Sequence, residues 1–277
     1  MIYLGKKNTL KAHQQTEAGM MLIDDNRNEV LLPNKYLPGY LKVGDMIDVC
    51  VYRDSGDWLT ATTIKPFIEI YGFAYLNARA VTSYGAFLDW GIEKDMLVPF
   101  KEQLVKMEEG KSYVVHMYLD EDTQRLIGSS NIQKFLSNEN LDIQLDDEVD
   151  VLVFENSPIG YLVVVNNQFK GLIYHNEVYK KINVGDRLTG YVKNIKEGNA
   201  LDISLQKIGF KHVLSSTDFI LDVLHKNKGF INLSDNSSPQ EIMEKLNMSK
   251  KTFKKAIGIL YREQLVRIED DGVYLVR

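Results

Sequence analysis

The sequence predicts a mainly β, multidomain chain: three five-stranded barrels in tandem, then a small α+β domain. Two observations carry this. One skeleton of spacings occurs three times, as Gly19, Pro33, Gly44, then Gly85, Pro99, Gly110, then Gly160, Tyr174, Gly185, always with steps of 14 and 11 residues. Apolar residues follow each last glycine in phase: Ile47, Tyr113 and Leu188 first, then Val51, Met117 and Val192. Repetition at a long period marks one domain used several times. The second observation is a change of hydrophobic period from two to helical at Ser216. The expected domains are 1–65, 66–136, 146–210 and 214–277.

In the first unit, alternating apolar runs at Met21–Ile23, Val30–Leu32, Met46–Tyr52 and Leu59–Thr63 predict strands. Polar clusters at Asp24–Asn28 and Asp54–Asp57 predict the turns between them. In the second, Gly72–Arg79, Tyr84–Trp90, Leu97–Val98, Tyr113–Leu119 and Arg125–Ser129 follow the same plan. In the third, Val149–Phe154, Tyr161–Val165, Gly171–Tyr174, Arg187–Ile195 and Ala200–Leu205 repeat it. Five strands with the long connection after the third match the strand order of a Greek-key OB barrel.

The C-terminal segment predicts helix, helix, helix, hairpin, the plan of a winged helix-turn-helix. Phe219, Ile220, Val223 and Leu224 share one face of a first helix, and Gly229 stops it. Ser238-Pro239-Gln240-Glu241 is a capping box with proline in the first turn. Ser249 caps a third helix with Phe253, Ile257 and Leu260 at core spacing. Leu265–Ile268 and Val273–Val276 flank Asp270-Asp271-Gly272, a hairpin signal.

Several runs carry a resemblance. Tyr84-Gly85-Ala86-Phe87-Leu88, Asp95–Phe100 and Arg125-Leu126 ahead of Ser129 resemble the S-one domain, an RNA-binding OB module. Gly171–Tyr174, Val184-Gly185-Asp186 and Leu201–Leu205 resemble it in the third unit. The first unit is more divergent, with Ala18 and Met21 in place of the aromatic pair. Tandem S-one-like domains followed by a winged helix are similar to the conserved virulence factor B family. Trp90-Gly91, Val98–Gln103, Leu172–Glu177 and Ser249-Lys250-Lys251 are its most distinctive matches here. The resemblance implies an RNA-binding protein that affects gene expression.

A single strand offers phosphates and the flat faces of unstacked bases, so OB barrels bind it with aromatic platforms in a positive groove. The second unit is best equipped. Phe73 and Tyr75 lie two apart on a strand and share a face, where they either stack on bases or fill the barrel. Tyr84 and Phe87 flank the glycine turn where S-one domains place stacking rings. Arg125 opens the last strand, and Lys94 and Lys101 lie in nearby loops. The S-one histidine position is Pro99, so Phe100 is the expected substitute. The third unit offers Tyr161, Tyr174 and Lys193, with Lys170, Tyr191 and Lys196 nearby. It has Ala200 where the second has Arg125, so fewer base contacts are expected there. The first unit is expected to give support or protein contact. In the winged helix, Lys250, Lys251, Lys254 and Lys255 form a polar face, either solvated or set against phosphates. The acidic wing tip at Asp270 and Asp271, and the lack of an Arg, Asn or Gln cluster for base readout, favour phosphate contact over sequence-specific DNA reading.

Composition narrows the classes. The net charge is −5, so binding must come from local faces rather than bulk charge. Cys50 is expected as a buried small hydrophobe. The start, Met1–Lys7, lacks the apolar core of a signal peptide, and no stretch reaches membrane-span length, which points to the cytoplasm. The scattered histidines have no ligand spacing and no phosphate-cradling glycine loop appears, so no metal, cofactor or enzymatic activity is expected. The leading reading is a noncatalytic binder of single-stranded or loop RNA through the second and third barrels, aided by the winged helix. The alternatives are a DNA-binding transcriptional regulator and a ribosome- or nuclease-associated adaptor.

Overall fold

The computed structural model describes residues 1–178, 181–206 and 210–276. They form two compact units, Met1–Ile203 and Ser204–Arg277. The first unit holds three closed barrels. β1 (Lys7–Gln15), β2 (Gly19–Ile23), β3 (Glu29–Pro33), β4 (Met46–Arg53) and β5 (Leu59–Thr62) close in the order β1-β2-β3-β5-β4. β6 (Phe73–Val81), β7 (Gly85–Leu88), β8 (Met96–Pro99), β9 (Ser112–Leu119) and β10 (Leu126–Ser129) repeat that ring. So do β11 (Glu148–Asn156), β12 (Gly160–Val165), β13 (Phe169–Tyr174), β14 (Arg187–Ile195) and β15 (Leu201–Ser204). The third and fifth strands pair in parallel in each barrel, which gives the OB topology.

Register explains the repeated skeleton. Gly19 pairs with Pro33, Gly85 with Pro99 and Gly160 with Tyr174, so the 14-residue step is a cross-strand pair. The first glycine has no room for a side chain. A Cβ would fall 2.0 Å from the Leu32 carbonyl oxygen at Gly19, 2.2 Å from that of Val98 at Gly85 and 2.3 Å from that of Ile173 at Gly160. A hydroxyl three residues earlier pins the turn each time: Thr16 Oγ1, Thr82 Oγ1 and Ser157 Oγ donate to the carbonyls of Gly19, Gly85 and Gly160. The last glycine of each skeleton has positive φ, +101°, +78° and +96° at Gly44, Gly110 and Gly185, and turns the chain into the fourth strand. Alternate residues then face inward. In the first barrel Leu10, Ala12, Met20, Leu22, Val30 and Leu32 fill the core.

Two seams join the barrels. At the first, Gly5 N–H donates to Val51 O and Ile70 N–H to Gly5 O, each at 2.8 Å. Tyr52 enters the second barrel's core cluster. Lys35 and Tyr36 both contact the Glu93 carboxylate. At the second seam, Phe73, Val114 and Ile132 of the second barrel pack against Leu152 and Val164 of the third. Asn167 Oδ1 accepts from Phe73 N–H at 3.0 Å, and Arg187 donates to Phe73 O. The outward face of β6 thus carries the third barrel. Phe73 is only 3% exposed and has no ring face for a base, so the structure corrects its expected stacking role. Tyr75 stays half exposed, but its ring lies where a Cβ on Gly185 would come within 2.4 Å.

His116 is buried in the second seam, 4.1 Å from the Phe135 ring centroid and 4.5 Å from that of Phe73. Its Nδ1 has no hydrogen-bond partner. Burial pushes its pKa down from 6.5 to about 4. Cys50 is buried too, and burial pushes its thiol up to about 12.

The second unit holds α1 (Phe210–Lys226), β16 (Phe230–Ile231), α2 (Pro239–Leu246), α3 (Lys250–Arg262), β17 (Val266–Glu269) and β18 (Gly272–Leu275). The capping box at Ser238 and Glu241 is formed, and Ser249 caps α3. The sheet order β16-β18-β17 and the helices around Phe253, Ile257 and Leu260 make a winged helix. α1 begins six residues ahead of the period change at Ser216, because no Ser, Thr, Asp or Asn directly precedes Phe210 to mark its start.

Two outcomes follow. Gly85→Ala forces a Cβ onto a backbone carbonyl and is expected to cost at least about 2 kcal/mol in a urea melt. Gly39→Ala, with nothing within 4 Å, is expected to be near neutral. Separately, the unfolded chain takes up a proton on His116 near pH 6.5, while the folded chain resists until about pH 4. Stability from this group is therefore full above 6.5 and is lost as pH falls towards 4. Urea melts at both ends of that window are expected to differ less for His116→Phe than for the wild-type chain.

Candidate nucleic-acid interface

The second barrel brings together three of the residues picked out from its sequence. Tyr84 sits on the hydroxyl-pinned turn ahead of β7, where its N–H donates to Thr82 Oγ1 at 3.2 Å. Its ring is 75% exposed. Phe87 follows on β7, half buried. Arg125 stands at the entry to β10 on a turn closed by Asp120, whose N–H donates to Arg125 O at 2.9 Å. All three line one pocket of about 320 Å³. Its floor includes Trp90 and Met96, both buried. Aromatic faces beside a guanidinium give stacking and phosphate attraction in one place.

The first barrel closes that pocket with Leu4, Tyr52 and Arg53. Lys94 acts here as a tie rather than a surface cation. Its ammonium donates to Arg53 O at 2.8 Å and Asp54 O at 2.6 Å, and burial lowers its pKa. Arg125 Nε lies 3.3 Å from Asp57 Oδ1. Phe100, 44% exposed, lies one residue beyond Pro99, the partner of Gly85. Lys101 is exposed on the same short turn. The Asp120 carboxyl is held below its usual range first by the Thr123 hydroxyl, with a smaller contribution from Lys101.

The third barrel presents a second, more neutral face. Tyr161 packs edge-on against His175, with centroids 4.8 Å apart and planes at 82°. Tyr174 OH accepts from Lys196 Nζ at 2.6 Å, and the same ammonium lies 5.1 Å from the Tyr174 ring centroid. Lys196 also pairs with the buried Asp202 at 2.8 Å, which raises the lysine pKa. Lys193 pairs with Glu177. Both lysines already have carboxylate partners, so a phosphate must compete for them.

In the winged helix, Lys251, Lys254 and Lys255 are exposed and Lys250 half buried, opposite the buried Phe253, Ala256 and Ile257. Lys254 Nζ lies 3.7 Å from Asp235. Among the described residues no cluster of His, Cys, Asp or Glu fits a metal ion, and no helix is long and apolar enough to cross a membrane.

Comparisons with known proteins agree with this architecture. Residues 4–64 match the model of the S1 domain. Residues 218–275 match the CvfB-like winged helix domain. The unit that looked most divergent from its missing aromatics is thus matched as an S1 domain, because the barrel framework survives without the stacking rings. Conserved virulence factor B of Staphylococcus saprophyticus is 26% identical over 252 residues, covering 86% of this chain and 82% of that protein. The resemblance to the conserved virulence factor B family is borne out. The uncharacterized protein YitL of Bacillus subtilis is also 26% identical, over 98% of this chain and 93% of its own length. A crystal structure of a multidomain protein with nucleic acid binding domains from Streptococcus pneumoniae matches 99% of this chain and 98% of its own, at 22% identity and a TM-score of 0.43. The chain therefore carries an S1 domain at residues 4–64 and a CvfB-like winged helix domain at residues 218–275.

Burial separates the two aromatic sets. Phe73→Ala opens a cavity in the second seam and is expected to cost about 3–5 kcal/mol in a urea melt. Tyr84→Ala removes an exposed ring and is expected to stay within about 0.5 kcal/mol of wild type.

Proposed function

We propose that this chain is a noncatalytic RNA-binding protein that engages single-stranded or loop RNA and acts on gene expression after transcription. The observation that carries the proposal is the exposed Tyr84 ring beside Phe87 and Arg125 on the face of a five-stranded barrel. A ring 75% exposed on a pinned turn contributes little to the fold. A stacked base rewards it by roughly 1–3 kcal/mol. The third barrel repeats the theme with Tyr161 and Tyr174, and its paired lysines make it the weaker partner. Linked weak sites gain through effective concentration, which offsets the net charge of −5. The winged helix adds phosphate contacts through Lys251, Lys254 and Lys255.

One observation favours a second reading. A row of lysines on α3 also suits duplex DNA, as in a transcriptional regulator. Asp270 and Asp271 at the wing tip oppose it, since they set negative charge where a wing meets phosphate.

Fluorescence anisotropy at fixed salt decides between them. Single-stranded RNA is expected to bind more tightly than duplex DNA of equal length, because only free bases offer faces to stack. Tighter duplex binding promotes the regulator reading, and no binding of either promotes a protein adaptor. Lys254→Ala with Lys255→Ala is expected to flatten the salt dependence of RNA binding, by about 0.7 in slope for each phosphate left without its lysine.

A further inference from the structure

The first barrel's turn between β4 and β5 is built with unusual economy around one exposed ring. Asp54 Oδ1 accepts from Gly56 N–H at 2.9 Å and Trp58 N–H at 3.0 Å, and Asp54 N–H donates to Trp58 O at 2.9 Å. Asp57 takes a positive φ of 68° to close the turn. The Trp58 indole lies over Gly56, where a Cβ would come within 2.9 Å of the ring, and remains 75% exposed. An ordered turn thus holds the largest apolar side chain type in water, with its ring beside glycine.

This turn does not stand free of the second barrel. Lys94 grips the carbonyls of Arg53 and Asp54, and Asp57 meets Arg125. Arg53 Nη1 donates to Asp57 O at 2.9 Å, and its side chain lines the pocket that holds Tyr84, Phe87 and Arg125. Arginines from both barrels therefore border one pocket, and an exposed carboxylate, Asp57, sits on Arg125. A phosphate on Arg125 must displace that carboxylate. The exposed pair is weakly held, so the displacement costs little.

We propose that the turn at residues 54–58 is part of the strand-binding site of the second barrel, with Trp58 as a further stacking ring and Asp57 as the anion that RNA phosphate replaces on Arg125. The inference rests on the RNA reading of Tyr84 and Phe87. It gives the first barrel, expected from sequence to give support or protein contact, a direct part in binding single-stranded RNA.

The test uses the full chain and a labelled oligouridylate of about 16 nucleotides, the upper end of an OB site. Trp58→Ala is expected to weaken binding roughly five- to 150-fold, the equivalent of one stacked base, with little change in salt slope. Asp57→Asn keeps a residue that tolerates positive φ and removes the competing charge. It is expected to bind more tightly, with a slope steeper by about 0.7. Thermal melts equal to wild type must accompany both, since neither side chain is buried. Wild-type affinity for Trp58→Ala, or looser binding by Asp57→Asn, overturns the proposal. If Tyr84→Ala with Phe87→Ala still weakens binding, the RNA reading stands without the turn. If that pair is also without effect, both readings fall.

Discussion

Three backbone contacts shape this molecule more than any side-chain packing. At Gly19, Gly85 and Gly160 the second strand comes so close to the carbonyl of the third that no Cβ fits. That approach sets the hairpin register, and the register sets which residues face inward. Once Gly85 faces Pro99, Ala86 and Leu88 fall into the core and Phe87 falls between core and solvent. Tyr84 is then left on the turn with its ring outside. The exposed aromatic face of the second barrel is thus a by-product of the contact that closes the barrel.

The same barrel has been put to three uses. The second displays aromatics and one arginine. The third displays tyrosines whose neighbouring lysines are already neutralised by Glu177 and Asp202. The first has lost the aromatics of its own turn, yet its neighbouring turn leans on the second barrel through Lys94 and Arg125. Tandem repetition allows this division, because each barrel folds around its own core and leaves the outer face open to change.

The seams constrain what the faces can do. Lys94 is desolvated and tied to two carbonyls, so its charge serves the joint between barrels. Phe73 and His116 lie in the other joint, where an imidazole without a partner for Nδ1 is tolerated only in its neutral form. Aromatic content alone therefore says little about binding in a multidomain chain, where interfaces between domains draw on the same residues as interfaces with ligands.

Local chemistry made much of this legible in the sequence. Glycine spacing revealed three barrels because close approach and positive φ admit no other residue as readily. The capping box at Ser238 and the turn at Asp270-Asp271-Gly272 revealed the winged helix because caps and hairpin turns are short-range structures. Tyr84, Phe87 and Arg125 could be grouped because one barrel brings together its own turns. What sequence could not show was which outward residues meet another barrel. Phe73 and Tyr75 alternate like any exposed strand pair, and only the docking of the third barrel separates the buried ring from the open one. β16, two residues long, is too short to show alternation and exists through its pairing with β18. Arg53 and Trp58 carried no motif. Arg53 comes to line the pocket of Tyr84, and the turn carrying Trp58 is held to the second barrel, through ties between residues 40 positions apart, Lys94 with Asp54 above all. The sequence by itself determined the barrels, their order and the ring-bearing turns, since those follow from local backbone geometry. Only the tertiary structure decided which faces remained open, since that follows from how whole barrels pack.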